Sequence, residues 1–171
     1  MFVGCNSLQT VPLFNTAAVT NMSYMFQNCY SLQAVPLFNT AAVTNMYSMF
    51  NGCNSLQTVP LFNTAAVTNM SYMFQNCYSL QAVPSLNVSA VTSSSNFSSM
   101  FNGCRSLIRI QASQFKYTFS VASCKLSATA LNEIYTNLPT VTGQTITVTG
   151  NWGTATDTPS IATAKGWTVT G

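Results

Sequence analysis

FNTAAVTNMSYMFQNCYSLQAVPL, running from Phe14 to Leu37, decides the fold because it comes back. It recurs as Phe38 to Leu61 and again as Phe62 to Val83, with Pro84 closing the third copy. The 24-residue period is read off Cys5, Cys29, Cys53 and Cys77. Cys104 arrives three residues late, because Ser93, Ser94 and Ser95 are an insertion. A fixed period of this size is the signature of a solenoid, in which each unit buries its apolar face only against its neighbours.

Within one copy, Met22, Met25, Phe26 and Cys29 stand at i, i+3, i+4 and i+7. That spacing predicts one face of a two-turn helix, capped by Thr20 or Asn21. Leu32 to Phe38 is short and apolar with Pro36 inside, which removes a ladder donor. A brief strand over Leu32–Val35 is expected there, and Asn39–Val43 turns toward the next helix. Stacked parallel strands sit about 4.8 Å apart whereas helices are about 10 Å across, so the helix side should splay and the stack should curve. The expected architecture is an α/β repeat: a right-handed, leucine-rich-repeat-like solenoid of short parallel strands and short helices. It occupies residues 1–104 in about four repeats and starts in mid-repeat, since Met1-Phe2-x-x-Cys5 matches Met25-Phe26-x-x-Cys29. That start predicts a piece of a longer protein or an end covered by a partner.

VTNMSYMFQNCYSLQAVPLFNT resembles the BspA-type leucine-rich repeats of bacterial surface proteins, whose units read roughly V-T-N-M-x-x-M-F-x-x-C-x-S-L. The resemblance covers about residues 1–110. Where that family carries Asp, Glu and Lys around its strand, this chain has Gln, Thr, Ala and Pro. Gly4 to Pro36 is identical to Gly52 to Pro84, so the unit of duplication is a 48-residue pair. One member has Ser23-Tyr24 where the other has Tyr47-Ser48. Such identity predicts recent expansion and a variable repeat number.

Hydrophobic residues make up 47% of the chain and charged ones only 4%, against roughly 25% in ordinary domains. Arg105, Arg109, Lys116, Lys125, Glu133, Asp157 and Lys165 are the charged residues, so none precedes position 105. A net charge of +3 without clustering offers no phosphate-binding stripe, which argues against nucleic acid. No apolar run reaches the roughly 18 residues of a membrane span. With no His and two separated carboxylates, no acid–base pair, activated nucleophile or metal set assembles, and neither catalysis nor a cofactor is expected.

The repeated side chains supply the candidate sites. Cys5, Cys29, Cys53, Cys77 and Cys104 are expected as a buried, unbridged ladder with Met22, Met46, Met70, Phe26, Phe50 and Phe74. Equivalent thiols on a helix side would stand about 10 Å apart, beyond disulfide reach. A bond between Cys104 and Cys124 stays open. Asn15, Asn39 and Asn63 are either a polar binding ladder or, as Asn so often is, partners of turn backbone. Tyr24, Tyr47 and Tyr72 lie between core Met positions and should face outward, where Tyr can stack on sugar or on a partner.

After Cys104 the composition shifts, and 105–171 reads as a β/α cap, because a terminal unit must present one face to water. Strands are expected at Ser106–Ile110, Phe115–Val121, Gln144–Thr149 and Trp167–Thr170. Ser127 should cap a helix bearing Ala130, Leu131, Ile134, Tyr135 and Leu138. Thr158 should cap a second, with Lys165 at its C-terminal dipole and Gly166 after it. The stretch LNEIYTNLPTVTGQTITVTGNWGTATDTPSIATAKGWTVTG resembles the ends of repeat proteins of tailed bacteriophages, tail-fibre-like ones included. The resemblances imply a recognition or adhesion module, on a virion tail or a bacterial surface, that offers an uncharged face to host-surface glycan or protein. The alternative is a structural virion or filament component, homo-oligomeric or paired with other virion or surface proteins through an open solenoid edge.

Overall fold

The computed structural model describes Met1–Gly171, with the side chains at positions 112 and 113 outside the description. Equivalent residues of consecutive repeats lie side by side. Asn21 bridges Asn45 and Asn45 bridges Asn69, both in parallel. The Thr44 and Thr68 N–H groups donate to Thr20 and Thr44 carbonyls at 2.8 Å, and those of Gln57 and Gln81 to Gln33 and Gln57 carbonyls at 3.1 Å. Each 24-residue coil is thus stitched to the next along several segments.

The helix expected over Met22–Cys29 is absent, and tandem turns replace it. Tyr24 and Asn28 both have φ of 59°, as their counterparts Ser48 and Gly52 have 51° and 79°. Left-handed residues cannot continue a right-handed helix. The N–H groups of Met25, Gln27 and Cys29 close turns onto Met22, Tyr24 and Phe26 carbonyls at 3.1–3.2 Å. The alternate donors, Tyr24, Phe26 and Asn28, reach Tyr47, Met49 and Asn51 of the next coil at 2.8–2.9 Å. Met22, Met25, Phe26 and Cys29 are all buried, so the apolar pattern is real while its period serves turns as well as a helix.

The splaying argument fails with the helix. Phe2, Phe26, Phe50, Phe74 and Phe101 stack ring on ring at centroid separations of 5.5, 5.7, 5.8 and 6.1 Å. Packed helices stand about 8–10 Å apart. The turn side is therefore spaced like strands.

The short strand expected over Leu32–Val35 does not form either. Pro36 and its equivalents leave the ladder only the donors before them, at Ser31 and Gln33 in this coil. The first strand is β1 (Ala82–Asn87), parallel to β2 (Arg109–Ser113), with the register shifting between Val83 and Leu86, where Pro84 sits. The three-serine insertion is absorbed by a 3-10 turn over Ser94–Phe97, and the coil ladder resumes beyond it with Tyr72 N–H to Ser98 O at 2.9 Å.

The C-terminal part adds a second parallel sheet in the order β3 (Phe119–Ser120), β4 (Gln144–Thr147), β5 (Trp167–Thr170). The strand expected over Phe115–Val121 shrinks to β3, because Phe115 turns inward against Phe97 and Phe119 at 4.6 and 4.5 Å. Likewise β2 starts later than the expected Ser106, and β4 ends before the expected Thr149. Helix α1 (Ala128–Asn137) is capped by Ser127, whose Oγ accepts from Ala130 N–H at 3.2 Å. Ala130, Leu131, Ile134, Tyr135 and Leu138 are buried. In α2 (Ser160–Thr163) the N-cap is Pro159 with no side-chain bond, so Thr158 does not play the capping part expected of it. Lys165 also differs. Its Nζ reaches back to Tyr135 and Leu138 carbonyls at 3.1 and 2.9 Å and to that of Thr136, closing the end of α1 rather than its own helix.

Candidate functional site

The alternation of coils has a steric cause, and that cause shapes the surface. Gly4, Asn28, Gly52, Asn76 and Gly103 occupy one column and all have positive φ. A Cβ on Gly52 would meet Asn28 Oδ1 at 2.4 Å, and one on Gly103 would meet Asn76 Oδ1 at 2.7 Å. An Asn in one coil therefore requires a Gly in the next, and the pair becomes the repeating unit.

The same two-coil rhythm builds an aromatic row. Tyr24 and Tyr72 hold equivalent positions, and Tyr47 stands one residue earlier in its coil. The offset lets Tyr47 meet Tyr24 at 5.1 Å and Tyr72 at 5.5 Å, each edge to face at 65°. Tyr24 is exposed and the other two are half-buried. Partial burial, then the adjoining Tyr24 phenol, push the Tyr47 hydroxyl pKa up. Ser48, in the place where its neighbours carry Tyr, is buried. The three tyrosines singled out from sequence thus form one continuous strip on an uncharged wall.

Asn15, Asn39 and Asn63 lie on another segment. Their Oδ1 atoms accept from the N–H two residues on, Ala17, Ala41 and Ala65, at 3.0–3.1 Å. Their backbone carbonyls serve the stack as well, with Thr16 and Thr40 hydroxyls donating to Asn39 and Asn63 at 2.8 Å. The acceptor end of each amide is spent on turn backbone. The NH2 ends donate to no described residue, and Asn39 and Asn63 line an open groove of about 360 Å³ with Leu37 and Leu61.

Those leucines were missed by sequence reasoning. Leu13, Leu37 and Leu61 are 67%, 58% and 62% exposed, one above another. The signal was present: each follows a Pro and precedes a Phe, and in a strand-like segment two apolar neighbours cannot both point inward. Phe38 and Phe62 take the inward position. Ser85 breaks the row in the fourth coil.

The thiols are structural. All six are free; Cys29, Cys53, Cys77, Cys104 and Cys124 are buried and Cys5 is exposed. Cys29, Cys53, Cys77 and Cys104 donate to the carbonyls of Phe2, Phe26, Phe50 and Phe74 at 3.0–3.1 Å. The 10 Å spacing argument falls with the helix; each thiol is held instead by its own carbonyl in the coil before. Burial pushes the pKa values of Cys29, Cys53, Cys77 and Cys104 up, and that of Cys124 up to about 12, keeping the thiols protonated and unreactive. Met46, Met70, Phe50 and Phe74 are buried beside them.

Both carboxylates are engaged in packing contacts. Glu133 pairs with Arg109 at 2.9 Å, and Asp157 Oδ2 accepts from the Tyr135 hydroxyl at 2.7 Å. Among the described residues no helix is long and apolar enough to cross a membrane.

Residues 1–116 match the family model described as "Mycoplasma protein of unknown function, DUF285". No curated protein and no solved structure matches the chain.

Proposed function

The chain belongs to the DUF285 family, and on that premise we propose that it is a non-catalytic recognition or adhesion module that presents an uncharged repeat face to glycan or protein on a host surface. The Tyr24–Tyr47–Tyr72 strip carries the reading. Three adjoining rings in fixed edge-to-face geometry offer a row of ring faces and edges for a sugar to stack on at small entropic cost, since Tyr has few rotatable bonds. The adjacent repeats multiply weak contacts into usable avidity. The resemblance to BspA-type repeats supports a surface location, and the phage-like C-terminal stretch supports a virion tail as its carrier. The parallel bonds from coil to coil support reading the stack, in this proposal, as a right-handed solenoid of the leucine-rich-repeat kind with tandem turns in place of helices.

The test is retention of the purified chain on host cells and on a glycan array. Replacing Tyr24, Tyr47 and Tyr72 with Ala should abolish retention while unfolding behaviour is preserved, and base–aromatic-sized losses of about 1–3 kcal/mol per ring would make even Tyr47→Ala measurable. Absence of retention on every host surface, or full retention by the triple variant, would overturn the reading.

One observation favours a second reading, a structural component that assembles with further chains. Leu13, Leu37 and Leu61 form an exposed apolar row that another chain would cover. Light scattering separates the two: a chain that stays monomeric at high concentration leaves only recognition.

A further inference from the structure

The ladder that joins the coils stops at the fourth. Tyr24, Phe26 and Asn28 N–H groups donate to the second coil, Ser48, Phe50 and Gly52 to the third, and Tyr72, Phe74 and Asn76 to the fourth, at 2.8–3.0 Å. The equivalent donors of the fourth coil are Ser99, Phe101 and Gly103, and none donates to a described residue. Where the next coil would accept them there is a cleft of about 420 Å³. Ser99, Gly103 and Arg105 line one side of it, and Ser120, Ala122 and Ser123 the other.

Translation along the stack fixes the direction of these donors: in three coils the same N–H groups point at the coil that follows. Ser99 and Gly103 have φ of 50° and 83°, and backbone that alternates with left-handed residues forms the concave N–H array that holds anions. Arg105 adds a full positive charge at the rim, steadied by the Tyr78 ring 5.3 Å away. No carboxylate lines the cleft, and both carboxylates of the chain have partners elsewhere. Partly buried N–H groups without partners are costly, and donors beside an unopposed cation favour a negative guest.

We propose that this cleft is a binding site for a small oxyanion, a carboxylate, sulfate or phosphate group carried by a larger ligand. Its oxygens accept from two neighbouring N–H groups among Ser99, Phe101 and Gly103, and the Arg105 guanidinium closes over it. Ser99 follows Tyr72 in the stack, so the site adjoins the tyrosine strip, but its donors are backbone N–H groups and Arg105 and it uses no tyrosine ring.

The experiment is titration of the full ¹⁵N-labelled chain at constant ionic strength with inorganic sulfate, inorganic phosphate and glucuronate in parallel. Saturable shifts of the Ser99, Phe101 and Gly103 amides are expected with at least one of the three. A response led by glucuronate marks a sugar-borne carboxylate, and one led by sulfate or phosphate marks an ester. Arg105→Gln should weaken binding about tenfold, with Arg105→Lys falling between. The remaining amide peaks of each variant report whether it is folded. Linear drift without saturation in all three titrations, or a folded Arg105→Gln variant that binds as the parent does, overturns the proposal. Neither result bears on retention through the tyrosines.

Discussion

A thiol that donates to a carbonyl one coil earlier is neutral by necessity. In the unfolded chain a Cys titrates near about 8.5, while burial holds Cys29, Cys53, Cys77, Cys104 and Cys124 above their ordinary value in the fold. The unfolded state therefore loses these protons first. The stability tied to them is whole below about pH 8.5 and is lost as pH rises toward the folded values, by about 1.4 kcal/mol per pH unit for each thiol inside that window. Urea midpoints should be level from pH 6 to 8 and fall steeply by pH 9.5. In the native chain at pH 8 a thiol reagent should label Cys5 at once and the other five only as fast as the protein opens. A level midpoint across this range would contradict the neutral ladder.

At the scale of elements, the sequence made the stack legible and the local conformation much less so. Repetition of Cys5, Cys29, Cys53 and Cys77 told which residues lie side by side, because neighbours in a stack must match. Met22, Met25, Phe26 and Cys29 told which side is inward. They could not tell a helix from tandem turns, since both return a side chain to one face about every three to four residues. What decided the matter was left-handed backbone at Tyr24, a residue type with no preference for it, held there by the bonds to the next coil. The candidate site was legible in the same degree. Outward tyrosines followed from their place between core methionines; their edge-to-face contact did not, because it depends on a one-residue offset between coils. The α1 helix shows the converse. Ser127 was readable as its cap, whereas Lys165 closes its far end from 30 residues downstream of Tyr135 in sequence. Lys165→Met strips three carbonyls of a charged donor and should lower stability by about 1–3 kcal/mol, followed by Trp fluorescence in urea. An unchanged midpoint would mean that water serves those carbonyls equally well.

For the whole molecule, the pairing of Asn with Gly makes coil number a matter of parity. Removing Gly52 to Gln75 deletes one coil and sets Asn76 over Asn28, with a Cβ where Gly52 had none. Restoring a glycine there by Asn76→Gly should stabilise this deletion variant by about 1–2 kcal/mol, and by clearly less in the full chain, where Asn76 already lies beside Gly52. Thermal melts of the four proteins close the cycle. Equal effects in both backgrounds would remove the steric origin of the 48-residue unit. The parity also bears on how such arrays lengthen: pairs can be added without a seam, single coils cannot.

The Ser93–Ser95 corner carries a practical consequence. Three additional residues leave the hydrogen bonds on either side of it in step, so the chain can widen at this bend while the layers above and below keep their alignment. Foreign loops grafted between Ser93 and Ser95 would be displayed from a rigid scaffold at a known height along the rod, beside the groove that Ser94 and Ser95 line with Thr118 and Ser120.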